Sequence, residues 1–185
     1  MSRKQLATSA LAFVIAAAAV SGCGQTSATA PVGSNVSPAD LAFITNAYNV
    51  TEFDRTIAAE AQTRASDPRV RALAAELLLE ANQFRDKVNP VAEQLGIQPP
   101  AVVSFGQRAD LQERVANLIR TGGHDYDREF LDDEIATHEE ALSRQQRMAA
   151  DSGGNPQLRA LSAEGTGLLR TNLAKLQALR SQLPG

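Results

Sequence analysis

From Ser37 onward the apolar residues recur at alternating spacings of three and four, and no segment alternates apolar and polar residues with a period of two. That periodicity lines up side chains on one helical face and excludes half-buried strands. The clearest stripe is Val70, Leu73, Leu77, Ala81, Phe84, Val88, Val91 and Leu95. Asp67-Pro68 marks its start, an N-cap followed by proline where the missing N–H costs nothing. Gly96 and the Gln98-Pro99-Pro100 break mark its end, and Pro90 is expected to kink its last turns. Ser37-Pro38 opens an earlier helix that runs to about Ala65. A shorter helix spans about Arg108 to Arg120, with Leu111, Val115, Leu118 and Ile119 expected inward. Another long helix follows Thr121-Gly122-Gly123, from about Asp125 to Ala150. Asn155-Pro156 starts the last, whose stripe is Leu158, Leu161, Gly165, Leu168, Asn172, Leu176 and Leu179. The chain reads as all-α.

The segments "DPRVRALAAE" (67–76) and "NPQLRALSAE" (155–164) match at six of ten positions. Any capped helix start draws on similar residues, but each segment also opens the second helix of a long pair. Two hairpins joined by a long crossover through the short helix is the connectivity of ferritin-like four-helix bundles.

The first 22 residues read as a targeting segment. Arg3 and Lys4 precede an apolar stretch from Leu11 to Val20, and small residues lead to Cys23, the chain's one cysteine. That is the pattern of an export signal, too short for a transmembrane helix of ~20 apolar residues. Val20-Ser21-Gly22-Cys23 resembles the lipobox of bacterial lipoproteins. The resemblance implies cleavage before Cys23, diacylglycerol on its sulfur and an acyl chain on the new amino group, enough for stable anchoring. In a Gram-negative host, Gly24 after the cysteine resembles outer-membrane-directed lipoproteins. Residues 23–36 are small, polar and turn-forming, and read as a flexible tether. Residues 37–185 then form the bundle domain.

Without Arg3 and Lys4, the 18 basic side chains fall to 16, against 21 acidic ones. With no basic block, no Trp and 4% aromatics, neither a phosphate-tracking patch nor a base-stacking platform is visible. Nucleic acid is therefore not an expected partner. The expected attachment is to a membrane through the lipid, and no protein partner is named by the sequence.

The placed helices resemble the bacterial domain-of-unknown-function family 4142, exported proteins grouped with the ferritin-like bundles. Phe43, Asp54, "RASDPRVRALAAELL" (64–78) and "YDREFLDDEIATH" (126–138) carry the resemblance. It implies a ferritin-like up-down four-helix bundle with a short extra helix in the crossover, and no single assigned activity. This sequence departs from the family pattern at Glu80-Ala81, where the family has Asp-His, and at Asn172, where it has a second histidine. Of three recurrent histidines, only His138 survives.

Asp54, Glu80, Asp127, Glu134, His138 and Asn172 form the candidate polar cluster. Asp127, Glu134 and His138 share one helical face, and buried carboxylates there need a proton, a cation or salt bridges. Bundle metal sites of the ferritin kind take Glu from two helices and Glu-x-x-His from two more, and no Glu-x-x-His occurs here. The cluster is thus expected to be satisfied and structural, with His138 charged and paired, and with no metal and no cofactor. The acidic run from Asp125 to Glu134 lacks the glycine-centred loop of a calcium site and suits a helix start. His124 reads as a solvated loop residue. No nucleophile–base motif or phosphate loop appears, so no enzyme is expected. The leading expectation is a non-catalytic binding or structural role in the cell envelope; the alternative is a metal-binding or metal-dependent oxidoreductase bundle with a reduced ligand set.

Overall fold

The computed structural model describes residues 36–97, 109–149 and 154–184. The targeting segment, Cys23 and nearly all of the tether lie outside the described residues. Five helices follow in order: α1 (Pro38–Arg64), α2 (Pro68–Gln94), α3 (Ala109–Arg120), α4 (Gly123–Ala149) and α5 (Pro156–Arg180). No strand occurs among the described residues.

The starts and stops follow from local chemistry. Ser37 and Asp40 form a reciprocal capping box on α1, satisfying two N–H groups that the first turn leaves open. Asp67 and Asn155 cap α2 and α5 ahead of Pro68 and Pro156. At the end of α2, Gly96 takes φ 70°. Its N–H donates to Glu93 O at 2.9 Å, and the Ile97 N–H donates to Ala92 O at 2.9 Å. This pair of bonds is a Schellman motif, which needs the left-handed conformation that glycine adopts without strain. Upstream of it, α2 runs through Pro90 to Gln94.

α1 and α2 form one hairpin and α4 and α5 another, with α1 packed on α4 and α2 on α5. The end of α1 meets the start of α4, because Ser66 N donates to Asp127 Oδ1 at 2.8 Å. At the opposite end, Asn155 N donates to Asp40 Oδ1 at 2.8 Å, joining the start of α5 to the start of α1. α1 and α4 are therefore antiparallel, and α5 runs with α1. α3 returns the chain to the α1–α2 turn, where Arg64 Nη2 donates to Ile119 O at 2.8 Å and to Thr121 O at 2.9 Å. The architecture is the ferritin-like four-helix bundle with a short helix in the crossover.

The apolar core forms two clusters. One surrounds Phe53, Ile57, Leu77, Tyr126, Phe130 and Leu176, and the other surrounds Phe43, Ile44, Tyr48, Phe84, Val88 and Leu158. On α2, Glu80 and Ala81 fall between the two sets, and on α5 Asn172 does the same. A polar layer thus crosses the middle of the bundle. The apolar stripes of α2 and α5 lie inward as the periodicity predicts, although Val91, Leu95, Leu161 and Leu168 are only half-buried. Ile119 differs: it is 52% exposed. α3 packs through the stripe of Leu111, Val115 and Leu118, and Ile119 lies about 100° around the helix from Leu118. Among the described residues, no helix is long and apolar enough to cross a membrane.

Candidate functional site

At the mid-bundle layer, α1 supplies Asp54 and α4 supplies Glu134 and His138, one turn apart on the same face. Asp54 is 7% exposed, Glu134 0% and His138 1%. One potential ligand atom from each lies within 4.8 Å of the others. His138 Nδ1 is 2.9 Å from Glu134 O and 3.5 Å from Glu134 Oε2. In the neutral imidazole Nδ1 carries the proton and donates to that carbonyl, which fixes the tautomer and leaves Nε2 its lone pair.

No donor among the described residues reaches Asp54 Oδ1, Glu134 Oε1 or Oε2, or Asn172 Oδ1. The expected picture of a satisfied cluster therefore needs correction: the layer holds a surplus of buried acceptors. Burial pushes the Asp54 carboxyl up, against the pull of His138. Burial and the neighbouring Asp54 push Glu134 well above the usual carboxyl range. Both carboxyls are thus held toward the protonated form, Glu134 the more strongly.

Asp54 and His138 line a cavity of about 30 Å³, together with Glu80, Asn172, Thr51 and Gln145. Its volume suits a water molecule or an ion. Glu80 sits at the edge of this layer, accepting from Asn172 Nδ2 at 2.7 Å and lying 3.8 Å from Lys175 Nζ.

Asp127 does not join them. Its Oδ1 and Oδ2 take the Ser66 N–H, the Ser66 hydroxyl and the Asp67 N–H at 2.8, 2.7 and 2.9 Å. Asp127 and Glu134 do share a face of α4, but seven residues separate them by roughly 10.5 Å along the axis. That distance takes Asp127 out of the polar layer to the end of the bundle. His124 is exposed, as expected, though it sits in the first turn of α4 rather than in a loop.

The family model described as Domain of unknown function (DUF4142) matches residues 25–179. The chain belongs to this family. That description assigns the family no activity. The chain is also similar to a crystal structure of a DUF305 fragment from Deinococcus radiodurans. The TM-score is 0.71 at 18% identity, covering 80% of this chain and 99% of that one. At that identity the likeness is one of fold. No curated protein matches the chain.

Sequence reasoning missed three buried polar residues that line the cavity beside Asp54 and His138: Asn46, Thr51 and Gln145. Thr51 carries a weak signal, since its hydroxyl is spent on Ala47 O at 2.8 Å within its own helix. Gln145 lies seven residues after His138 on the same face, and its Oε1 accepts from Thr166 Oγ1 at 2.6 Å. That heptad spacing was the available clue.

Proposed function

We propose that this DUF4142 protein is a lipid-anchored, non-catalytic bundle of the cell envelope, working by binding or structural interaction. Anchoring rests on Cys23 and its flanking lipobox; in a Gram-negative host the domain would sit on the periplasmic face of the outer membrane. One observation carries the non-catalytic part of the reading. Asp54, Glu80 and His138 face a cavity of about 30 Å³, whereas pockets for organic ligands hold roughly 300–1,000 Å³. An organic substrate has no room beside Asp54 and His138. A two-metal oxidoreductase centre in the ferritin manner draws on four carboxylates and two histidines, while the close group here comprises Asp54, Glu134 and His138.

The test is fractionation of cells fed labelled palmitate. Wild-type protein should carry label and partition with membranes, and Cys23→Ser should lose the label and either be released or stay uncleaved. A cleaved Cys23→Ser protein that remains in the membrane fraction would refute the anchor.

A further inference from the structure

We propose that Asp54, Glu134 and His138 form a binding site for a single divalent transition-metal ion in the middle of the bundle. The three side chains come from two packed helices, all are at least nine-tenths buried, and their candidate ligand atoms lie within 4.8 Å of one another. Metal–nitrogen and metal–oxygen bonds of about 2.0–2.2 Å require these side chains to draw in around the ion.

The second observation is the acceptor surplus. Asp54 Oδ1 and both oxygens of Glu134 meet no donor among the described residues, and buried oxygens without partners are costly. A shared proton engages one oxygen of each carboxyl and leaves others unpaired. The charged groups acting on the pair are each other, His138 and Asp133, with no lysine or arginine among them. A divalent cation balances both carboxylates at once. Asn172 Oδ1, also without a donor and on a residue that lines the adjoining cavity, adds a further oxygen to the surroundings, and the cavity has room for a water ligand.

Two carboxylates and one imidazole select the ion. Calcium takes six to eight oxygens, and Cu(I) prefers sulfur; the nitrogen–oxygen set suits ions of the Zn²⁺ and Mn²⁺ kind. The hydrogen bond from His138 Nδ1 to the Glu134 carbonyl is the outer contact that orients a ligating histidine. Because the carboxyls must give up their proton to the ion's charge, affinity should rise with pH. The site is independent of the anchor at Cys23, and the palmitate result leaves it untouched.

The test uses purified full-length protein, stripped with a chelator and titrated calorimetrically with ZnCl₂ and separately with MnCl₂. One ion per chain is expected for at least one of the two, with a melting temperature that climbs with metal concentration. Asp54→Asn and Glu134→Gln preserve side-chain volume and remove buried charge; each should weaken binding at least about tenfold, on the scale of lost metal contacts. Should either fail to fold, His138→Gln supplies the same comparison. Failure of the wild type to bind either ion at one per chain overturns the proposal. Undiminished affinity in the folded variants overturns it too, by moving the ion to exposed carboxylates such as Glu76.

Discussion

Asp127 and Ser66 are joined twice, main chain and hydroxyl both donating to the one carboxylate at 2.8 and 2.7 Å. The same carboxylate also takes the Asp67 N–H, so α4 holds the start of α2. Asp40 plays the corresponding part at the other end, where α1 holds the start of α5 through the Asn155 N–H. Each hairpin's second helix is thus pinned by an acid from the early turns of the other hairpin's first helix. The echo between residues 67–76 and 155–164 gains a structural meaning: both segments are the pinned starts.

Asp127→Ala removes a fully buried acceptor and leaves three donors to find water. Hydrogen bonds to charged groups contribute about 1.5–3 kcal/mol each, but Ser66 is exposed and recovers part of this. A net loss of about 2–3 kcal/mol is expected in urea unfolding, larger than for Asp40→Ala. Equal losses would mean that the two pins are equivalent and the extra bonds at Ser66 contribute nothing.

Leu77 is 2% exposed in the larger core cluster, so Leu77→Ala should cost about 2–5 kcal/mol through lost burial and a cavity. Ile119→Ala, at a solvent-facing position of α3, should stay within about 0.5 kcal/mol. Both are read from chemical denaturation midpoints, and similar values for the two would contradict the packing of α3.

The fold was legible because helix period and cap chemistry are local. Val70, Leu73 and Leu77 need only their own spacing to declare a buried face, and Asp67-Pro68 needs only its neighbours to start a helix. The site was legible in part. Periodicity reports which face a residue occupies but not its partner's height on another helix, so Asp127 was grouped with Glu134 although it lies two turns away. Nor does composition reveal whether a buried carboxyl meets a donor; that depends on α1 and α4 together, which is why the cluster reads as satisfied in the sequence. Ile119 was misplaced because a short helix buries a narrower stripe than a long one.

Gly165 marks a close approach of α5 to α2 and α4. A Cβ built there would lie 2.8 Å from Phe84 Cζ and 3.2 Å from Gln145 Nε2, while nothing lies within 4 Å of one built on Gly167. Alanine gains about 1 kcal/mol over glycine in a helix interior, and overpacking costs about 1–3 kcal/mol. Gly167→Ala should therefore stabilise by up to about 1 kcal/mol, and Gly165→Ala should be neutral to destabilising by about 2 kcal/mol. Thermal melts of the two variants compare them directly. Stabilisation of both would show that Phe84 moves aside freely, into the adjoining cavity.

Asp133 gives the protein a pH dependence of predictable sign. Its side chain is buried with Oδ2 lacking a donor among the described residues. Burial first, then repulsion from Glu129 and Asp132, lifts its carboxyl to about 6, with Arg114 opposing. The folded chain therefore holds this proton more tightly than the unfolded chain, whose aspartates titrate near about 3.9. By linkage, the stability that protonation contributes is fully present below about pH 4 and is lost as pH rises through about 6. Asp133→Asn is neutral throughout and does not lose it. The variant should melt close to the wild type near pH 4 and at a higher temperature at pH 7, with the gap opening between those values. Asp54 and Glu134 titrate in the same direction, and the Asp133 charge itself raises Glu134, so the difference between the two curves reports Asp133 together with its effect on Glu134. A gap of the same size at both pH values would assign the effect to packing rather than to charge.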